Sequence, residues 1–476
     1  MREILLHYQP VNPATWVYLS SLLMIGLFFK FNRFWSVRNL DLILLILLAP
    51  GLLMVNEARQ AGGPTFEQPA AADAASAEAA VPPTRLFGLS PKDLAYTGYL
   101  WLFAVAGVWL VRLLLDPTMV RRPLLEPNLT SGGLIFLSVA LFAFLMANVF
   151  TSDLTPDDLR GPKGAQAIMQ GHDTANDQNK PEDYRRFGPG YYLLHTLPSI
   201  PTSPLVRSDR AEPDRAYEIV AKIMAIVAHL AVVAGLVTIG YWHFENVKMG
   251  IGAAMIYLLL PYTAQMTGHV DHVLPAALLL WGVVLYRRPA MAGIFLGLAI
   301  SVFYYPLFLL PLWISFYWQR GLARFLTGTG VAIAAMILSL IFVSTGLESF
   351  WSKFQQMFAL WLPKTEGLFG IWGLGWDPVY RLPVIAGCAA LAAGLAIWPA
   401  HKNLGTLLSC SAAMMVAVQF WHGFGDGGGM YMAWYLPLLL MTVFRPNLED
   451  RVALSVLGEG WFTKRRARLA QFDRAA

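Results

Sequence analysis

Long apolar runs broken by short polar joints make up most of the chain. Measured against the roughly 20 residues a helix needs to cross a bilayer, they fall at 16–30, 40–56, 94–115, 131–150, 217–242, 248–267, 272–286, 290–304, 305–319, 325–345, 383–399, 404–420 and 430–444. This pattern predicts an all-α polytopic membrane protein with about thirteen transmembrane helices, two of them short.

The polar joints are not alike. Basic residues gather in alternate short connections: Lys30, Arg33 and Arg38; Arg121 and Arg122; Arg287 and Arg288; Arg320 and Arg324; Lys402; and the tail with Lys464, Arg465, Arg466 and Arg468. By the positive-inside rule these joints are cytoplasmic. The long loops 57–92, 151–216, 346–382 and 421–429 then lie on the other side. The division expected is 1–130, N-terminal helices carrying an Ala/Pro-rich spacer at 57–92; 131–445, the main membrane domain; and 446–476, a basic cytoplasmic tail. The spacer, low in aromatics and rich in Ala, Pro and Glu, has the composition of a disordered segment. No internal repeat is visible. The N-terminus lacks the pattern of a cleavable signal peptide, so insertion is expected to rely on the first helix.

Composition agrees with that reading. Hydrophobic residues are 56% of the 476 and charged residues only 14%, against about 25% charged in soluble domains. The net charge of +5 comes from the topological clusters and the tail, and no aromatic-interleaved basic motif accompanies it, so nucleic acid is not an expected partner. Cys388 and Cys410 both fall in apolar runs and suggest neither a disulfide nor a zinc site. His229, deep in a run, reads as a hydrogen-bonded packing histidine. GxSxG and CxxC are both absent, which disfavours a covalent hydrolase.

Candidate chemistry collects in the long loops. Asp153 stands three residues past an apolar run, with Asp157 and Asp158 following. A carboxylate at such an edge can act as general base toward a hydroxyl, or Asp153 and Asp157 can simply cap the next helix. In the tight turn GHVDH, 268–272, His269, Asp271 and His272 suit a substrate hydroxyl, a divalent metal through His269 and Asp271, or an ordinary interfacial turn. Phe350, Phe354, Met357, Phe358 and Trp361 recur at helical spacing, which predicts an amphipathic helix on the membrane surface over 348–361. Beyond it lie Lys364, Glu366, Trp372, Trp376 and Arg381. The tryptophans fit an interfacial belt; with Lys364 and Arg381 they also suit a lipid phosphate and a sugar face. HGFGDGGGMY, 422–431, with four glycines, at 425 and 427–429, around Asp426, is not followed by a helix carrying the Lys and Ser/Thr of a phosphate cradle, and reads as a flexible loop.

RFGPGYYLLHTLP, 186–198, resembles the aromatic re-entry segment of the GT-C superfamily, the multi-spanning glycosyltransferases that use polyprenyl-phosphate-linked sugars. GHVDHVLPAALLLWGVVLYRRPAMAGIFLGLAISVFYYPLFLLPLW, 268–313, is similar to the polar turn and helix pair of the bacterial mannosyltransferases and the dolichyl-phosphate-glucose glucosyltransferases in that superfamily, and FALWLPKTEGLFGIW, 358–372, more faintly to a loop of the latter group. The likeness covers about 131–445. It departs where Val302, Phe303 and Tyr304 stand in place of a basic residue before the Tyr-Pro pair, and in the three helices that precede it.

The resemblance implies a GT-C-like membrane catalytic domain with Asp153 as catalytic base and an inverting transfer of a hexose from a polyprenyl-phosphate donor to a lipid- or glycan-linked acceptor. Asp157, Asp158, Tyr191, Tyr192, His269, Asp271, His272, Lys364, Glu366, Trp372 and Arg381 would bind substrate. Membrane lipids are further partners, a divalent metal ion is left open as cofactor, and the expected location is a bacterial inner membrane with the site facing the periplasm. A secondary transporter or lipid-linked-sugar flippase would instead call for polar residues at mid-membrane and two related halves. A non-enzymatic envelope scaffold would leave Asp153 and the GHVDH turn free to vary.

Overall fold

The computed structural model describes residues 12–61, 89–119, 125–151, 154–170, 186–208, 213–357 and 367–446. Among them the regular elements are helices, with no β-strand. Each of the thirteen apolar runs contains helix. Six helical stretches are long and apolar enough to cross a membrane: Val37–Gln60, Pro91–Thr118, Ser131–Thr151, Arg215–Trp242, Leu322–Val343 and Pro378–Ile397. Several others are shorter, including Pro13–Phe28, Val247–Leu259, Val270–Val284, Pro289–Val302 and Leu404–Gln419. The architecture is consistent with a multi-pass membrane protein.

In chain order we use α1 (Pro13–Phe28), α2 (Val37–Ile46), α3 (Leu48–Gln60), α4 (Pro91–Leu115), α5 (Ser131–Thr151), α6 (Arg160–Gln170), α7 (Pro189–Ser208), α8 (Pro213–Trp242), α9 (Val247–Leu259), α10 (Pro261–Gln265), α11 (Val270–Val284), α12 (Pro289–Val302), α13 (Leu310–Tyr317), α14 (Leu322–Ser339), α15 (Leu347–Met357), α16 (Arg381–Ile397), α17 (Leu404–Gln419) and α18 (Leu436–Phe444).

Local sequence explains where the helices start and stop. Ser90 caps α4 by accepting from the Asp93 amide, and its hydroxyl donates to the Asp93 carboxylate, with Pro91 in the first turn. Asn403 and Thr406 form a reciprocal capping box at the start of α17, and such caps supply partners to helix-end amides that have none within the helix. Pro261, which donates no amide and restricts the residue before it, separates α9 from α10.

Helices α9 and α17 are the innermost: every residue of α17, and all of α9 from Met249 on, is buried. The longer α5, α14 and α16 keep much of their apolar surface exposed, as lipid-facing helices would. Close approach between α12 and α14 depends on Gly293 and Gly328, where a Cβ would overlap backbone of the opposite helix.

The N-terminal helices are built into this bundle. Helix α4 packs on α17, and Phe28 of α1 sits edge-on to Phe444 of α18. The spacer expected at 57–92 is shorter than that range, since α3 runs to Gln60 and α4 begins at Pro91. Burial of Ala58 beside Leu94 and Ala95 holds these ends together.

Two ends of the bundle differ in chemistry. At one, Arg320 donates to the Lys402 carbonyl (2.8 Å), Arg112 grips both oxygens of Asp41 (2.8 and 3.0 Å), and Asp116 accepts from Arg112 (3.1 Å) and Arg445 (2.7 Å). The other end carries the long loops. Deep in the bundle His229 donates from Nε2 to the Thr267 carbonyl (3.2 Å) and accepts at Nδ1 from the Tyr257 hydroxyl (2.9 Å), the hydrogen-bonded packing role expected of it.

Candidate functional site

At the long-loop end, carboxylates from three separate segments converge. Asp157 and Asp158 precede α6, Asp271 lies in the first turn of α11, and Asp426 lies in the glycine-rich loop after α17. Asp158 accepts from the Thr155 amide (2.9 Å) and hydroxyl (2.7 Å), and its other oxygen meets His269 Nδ1 at 2.8 Å. The Asp157 carboxylate pairs with Arg160 (2.7 Å), the first residue of α6, and with Arg186. Arg186 also approaches Asp271 (3.5 Å), which accepts from the Tyr431 hydroxyl (3.3 Å). His272 is wholly buried between Tyr262 OH (2.7 Å at Nδ1) and Asp426 (3.0 Å at Nε2), and its ring stacks on Tyr431 at 4.1 Å. Asp426 is held on its other oxygen by Arg59 (3.0 Å).

The charges nearly balance. Asp157, Asp158, Asp271 and Asp426 face the cations of Arg59, Arg160, Arg186 and His269, so removing these carboxylates from bulk water is offset within the cluster rather than left as an isolated buried charge. Burial alone would raise the Asp158 carboxyl. His269 and the two Thr155 bonds outweigh it and hold Asp158 below the ordinary carboxylate range. The same contest runs in His269, where burial disfavours the imidazolium but Asp158 raises it to about 9. Asp426 lies well below the usual range because Arg59 and His272 overcome its burial.

One metal-compatible group is present among the described residues: a ligand atom each of Asp158, His269 and Asp271 lies within 4.8 Å of the others. Two oxygens and an imidazole suit zinc or manganese. They fit such an ion only once His269 has given up the proton it shares with Asp158, since a ligating imidazole must be neutral.

Aromatic side chains and an arginine border the cluster, but they do different work from that expected of them. Tyr191 is buried, stacked on Phe187 (4.3 Å) and packed against Phe303 (6.3 Å). Tyr192 is buried against α6, where a Cβ on Gly164 would overlap its ring. Both tyrosines are therefore packing groups between α6, α7 and α12, rather than exposed substrate contacts. Arg381 donates Nε and Nη2 to Trp421 O (3.2 and 2.9 Å), and Trp372 Nε1 donates to Phe420 O (3.1 Å). The cause is the end of α17, whose last carbonyls have no intrahelical donor. These two residues supply one.

Asp153, Lys364 and Glu366 lie outside the described residues, as does the 358–361 part of the expected amphipathic helix; α15 covers the part before it. The loop expected to be flexible at 422–431 is fixed instead: Gly425, Gly427 and Gly429 take positive φ, and Gln419 accepts from the Gly429 and Tyr431 amides (3.2 and 3.3 Å). Arg186 stood in plain sight beside the quoted FGPGYY segment. Asp426 and Tyr431 lie in the HGFGDGGGMY segment noted for its glycines, whereas Arg59 carried no local signal, because its partner comes from a distant segment.

Against protein-family models and against curated proteins the chain has no match.

Proposed function

We propose that this chain is an integral membrane glycosyltransferase of GT-C type, with about thirteen crossings in a bacterial inner membrane. It would move a hexose from a polyprenyl-phosphate donor to a lipid- or glycan-linked acceptor on the periplasmic face. The observation that carries the reading is the convergence of Asp157, Asp158, Asp271 and Asp426, with matched cations, at the long-loop end of an apolar helix bundle. Lipid-linked sugar transfer needs that combination: apolar surface for a polyprenyl chain beside a polar site that can move a proton and meet a phosphate.

In this reading Asp153 accepts the proton of the acceptor hydroxyl as it attacks the anomeric carbon, and the configuration inverts. A positioned base of this kind contributes about 10²–10⁴-fold. The departing phosphate is met by Lys364 and by the His269 imidazolium, whose Nδ1 is held by Asp158 while its ring stays 30% exposed. Donors fixed in a poorly hydrated site stabilise such developing charge more than water does. Asp157 and Asp271 orient Arg186 beside it. Were a divalent ion bound by Asp158, His269 and Asp271, it would supply Lewis-acid stabilisation of the same phosphate oxygens.

The test is sugar transfer by purified protein from a panel of radiolabelled polyprenyl-phosphate sugars, with a folded Asp153→Asn variant alongside. Transfer by wild type that falls at least about 100-fold in the variant supports the enzyme and its base. A variant equal to wild type removes Asp153 from that role and moves the search to Asp157, Asp158 and Asp271. Silence from wild type across the panel puts the transporter, flippase and scaffold readings first.

A further inference from the structure

Asp426 is held from both sides of its peptide. Arg59, in the last turn of α3, binds one carboxylate oxygen, and the fully buried Tyr99 of α4 donates to the Asp426 carbonyl at 2.8 Å. The other carboxylate oxygen meets His272, and the Asp426 amide donates to Tyr431 OH (3.4 Å), which itself donates to Asp271. His272 and Asp271 are neighbours on the first turn of α11, just after His269. A displacement of Asp426 is thus transmitted to the turn that carries the proposed phosphate contact.

The loop that bears Asp426 has little stiffness of its own. Its glycines at positive φ give up more backbone entropy on ordering than other residues would, so its place is set by contacts. The N-terminal helices provide several of these: besides Arg59 and Tyr99, Phe103 and Leu102 on α4 come within 3.2 and 3.5 Å of where a Cβ on Gly429 would stand. The Arg59–Asp426 pair is partly exposed, 28% and 22% at the two side chains. The Arg59 nitrogen that meets Asp426 is nonetheless enclosed, so the pair fixes the loop against the end of α3.

We propose that Arg59 and Tyr99 are positioning residues that hold Asp426 against His272, which makes the helices before residue 131 part of the working site. This rests on the transferase reading given above. It adds a requirement that the reading does not contain, because the GT-C-like region begins only after those helices.

The experiment is a double-mutant cycle on full-length protein: wild type, Arg59→Gln, Arg59→Lys, Asp426→Asn and the Arg59→Gln/Asp426→Asn pair, assayed for kcat and KM of sugar transfer. Since a misplacement of about 1 Å can cost about 100-fold, we expect Arg59→Gln to lower kcat about 10- to 100-fold with KM within about threefold. Arg59→Lys should recover most of that loss, and Arg59→Gln should cost nothing further once Asp426 is Asn. A loss of equal size in both backgrounds, or none in either, overturns the proposal. If wild type transfers no sugar, the transferase reading fails, and positioning is then decided by ¹⁵N spectra of labelled histidine. His272 should hold a single Nε2–H tautomer in wild type and Arg59→Lys, and lose it in Arg59→Gln. An unchanged His272 signal in Arg59→Gln overturns the proposal by itself.

Discussion

Asp158→Asn should alter how stability depends on pH, and the size of the change follows from the His269 pair. In the folded chain His269 titrates at about 9, against about 6.5 for a free imidazole. Because the folded value is the higher one, the stability it contributes is complete below about pH 6.5 and is lost as pH rises through about 9. The difference corresponds to roughly 3 kcal/mol. Solvent reaches the ring, which is 30% exposed, and screening on that account leaves about 1.5 kcal/mol. With Asn at 158 the carboxylate is gone, and so is this pH-dependent part. Melting of detergent-purified wild type and variant at pH 6.5 and pH 9.5 measures it: wild type should be the more stable at pH 6.5, and the gap should close by about 1–2 °C at pH 9.5, since at about 2 cal/mol/K per residue 1 kcal/mol moves a chain of 476 residues by about 1 °C. A gap of the same size at both pH values would refute the pairing as the source of the effect, and His269→Gln, which removes the same proton, should abolish the pH dependence of the gap.

Two further outcomes follow from the same coordinates. Zinc titrated into the protein should bind about tenfold tighter per pH unit between pH 6.5 and 9, because Asp158, His269 and Asp271 can close on an ion only as His269 is deprotonated; calorimetry showing pH-independent affinity would place binding elsewhere. Gly188→Ala should lower the melting temperature by the equivalent of about 1–3 kcal/mol, since the added Cβ would overlap the Ser301 carbonyl, whereas Gly330→Ala on the exposed face of α14, with nothing near its Cβ, should raise it by about 0.5–1 kcal/mol; equal responses would show that the close α7–α12 approach is not limiting.

What could be read from the sequence was whatever is local. An apolar run specifies a helix by itself, and helix was found in all thirteen. The GHVDH turn could be recognised because three polar side chains within one turn stand out between apolar runs. Arg59 could not, since EARQAGG looks like the onset of a spacer until Asp426, in a loop of the C-terminal half, is brought against it. The carbonyl contacts of Arg381 and Trp372 were hidden for a related reason. A cation beside tryptophans suggests a ligand site, yet the ends of α17 present bare carbonyls that any nearby donor will take, and that need is visible only when helix ends are located in space. The resemblance marked Tyr191 and Tyr192 as substrate contacts, but Gly164 of α6 lets the backbone come close enough to bury Tyr192.

The ionic knot at the opposite end has a bearing on how the protein is made. Asp116 is fully enclosed and shared by Arg112, four residues away, and Arg445, 329 residues later. At bacterial or eukaryotic translation speeds the second partner arrives roughly 16–66 s after the first. During that interval the carboxylate lacks its Arg445 contact, and α18 has yet to join the earlier helices. The first and last parts of the bundle are therefore tied by one enclosed carboxylate, and a chain that stops short of residue 445 lacks that tie.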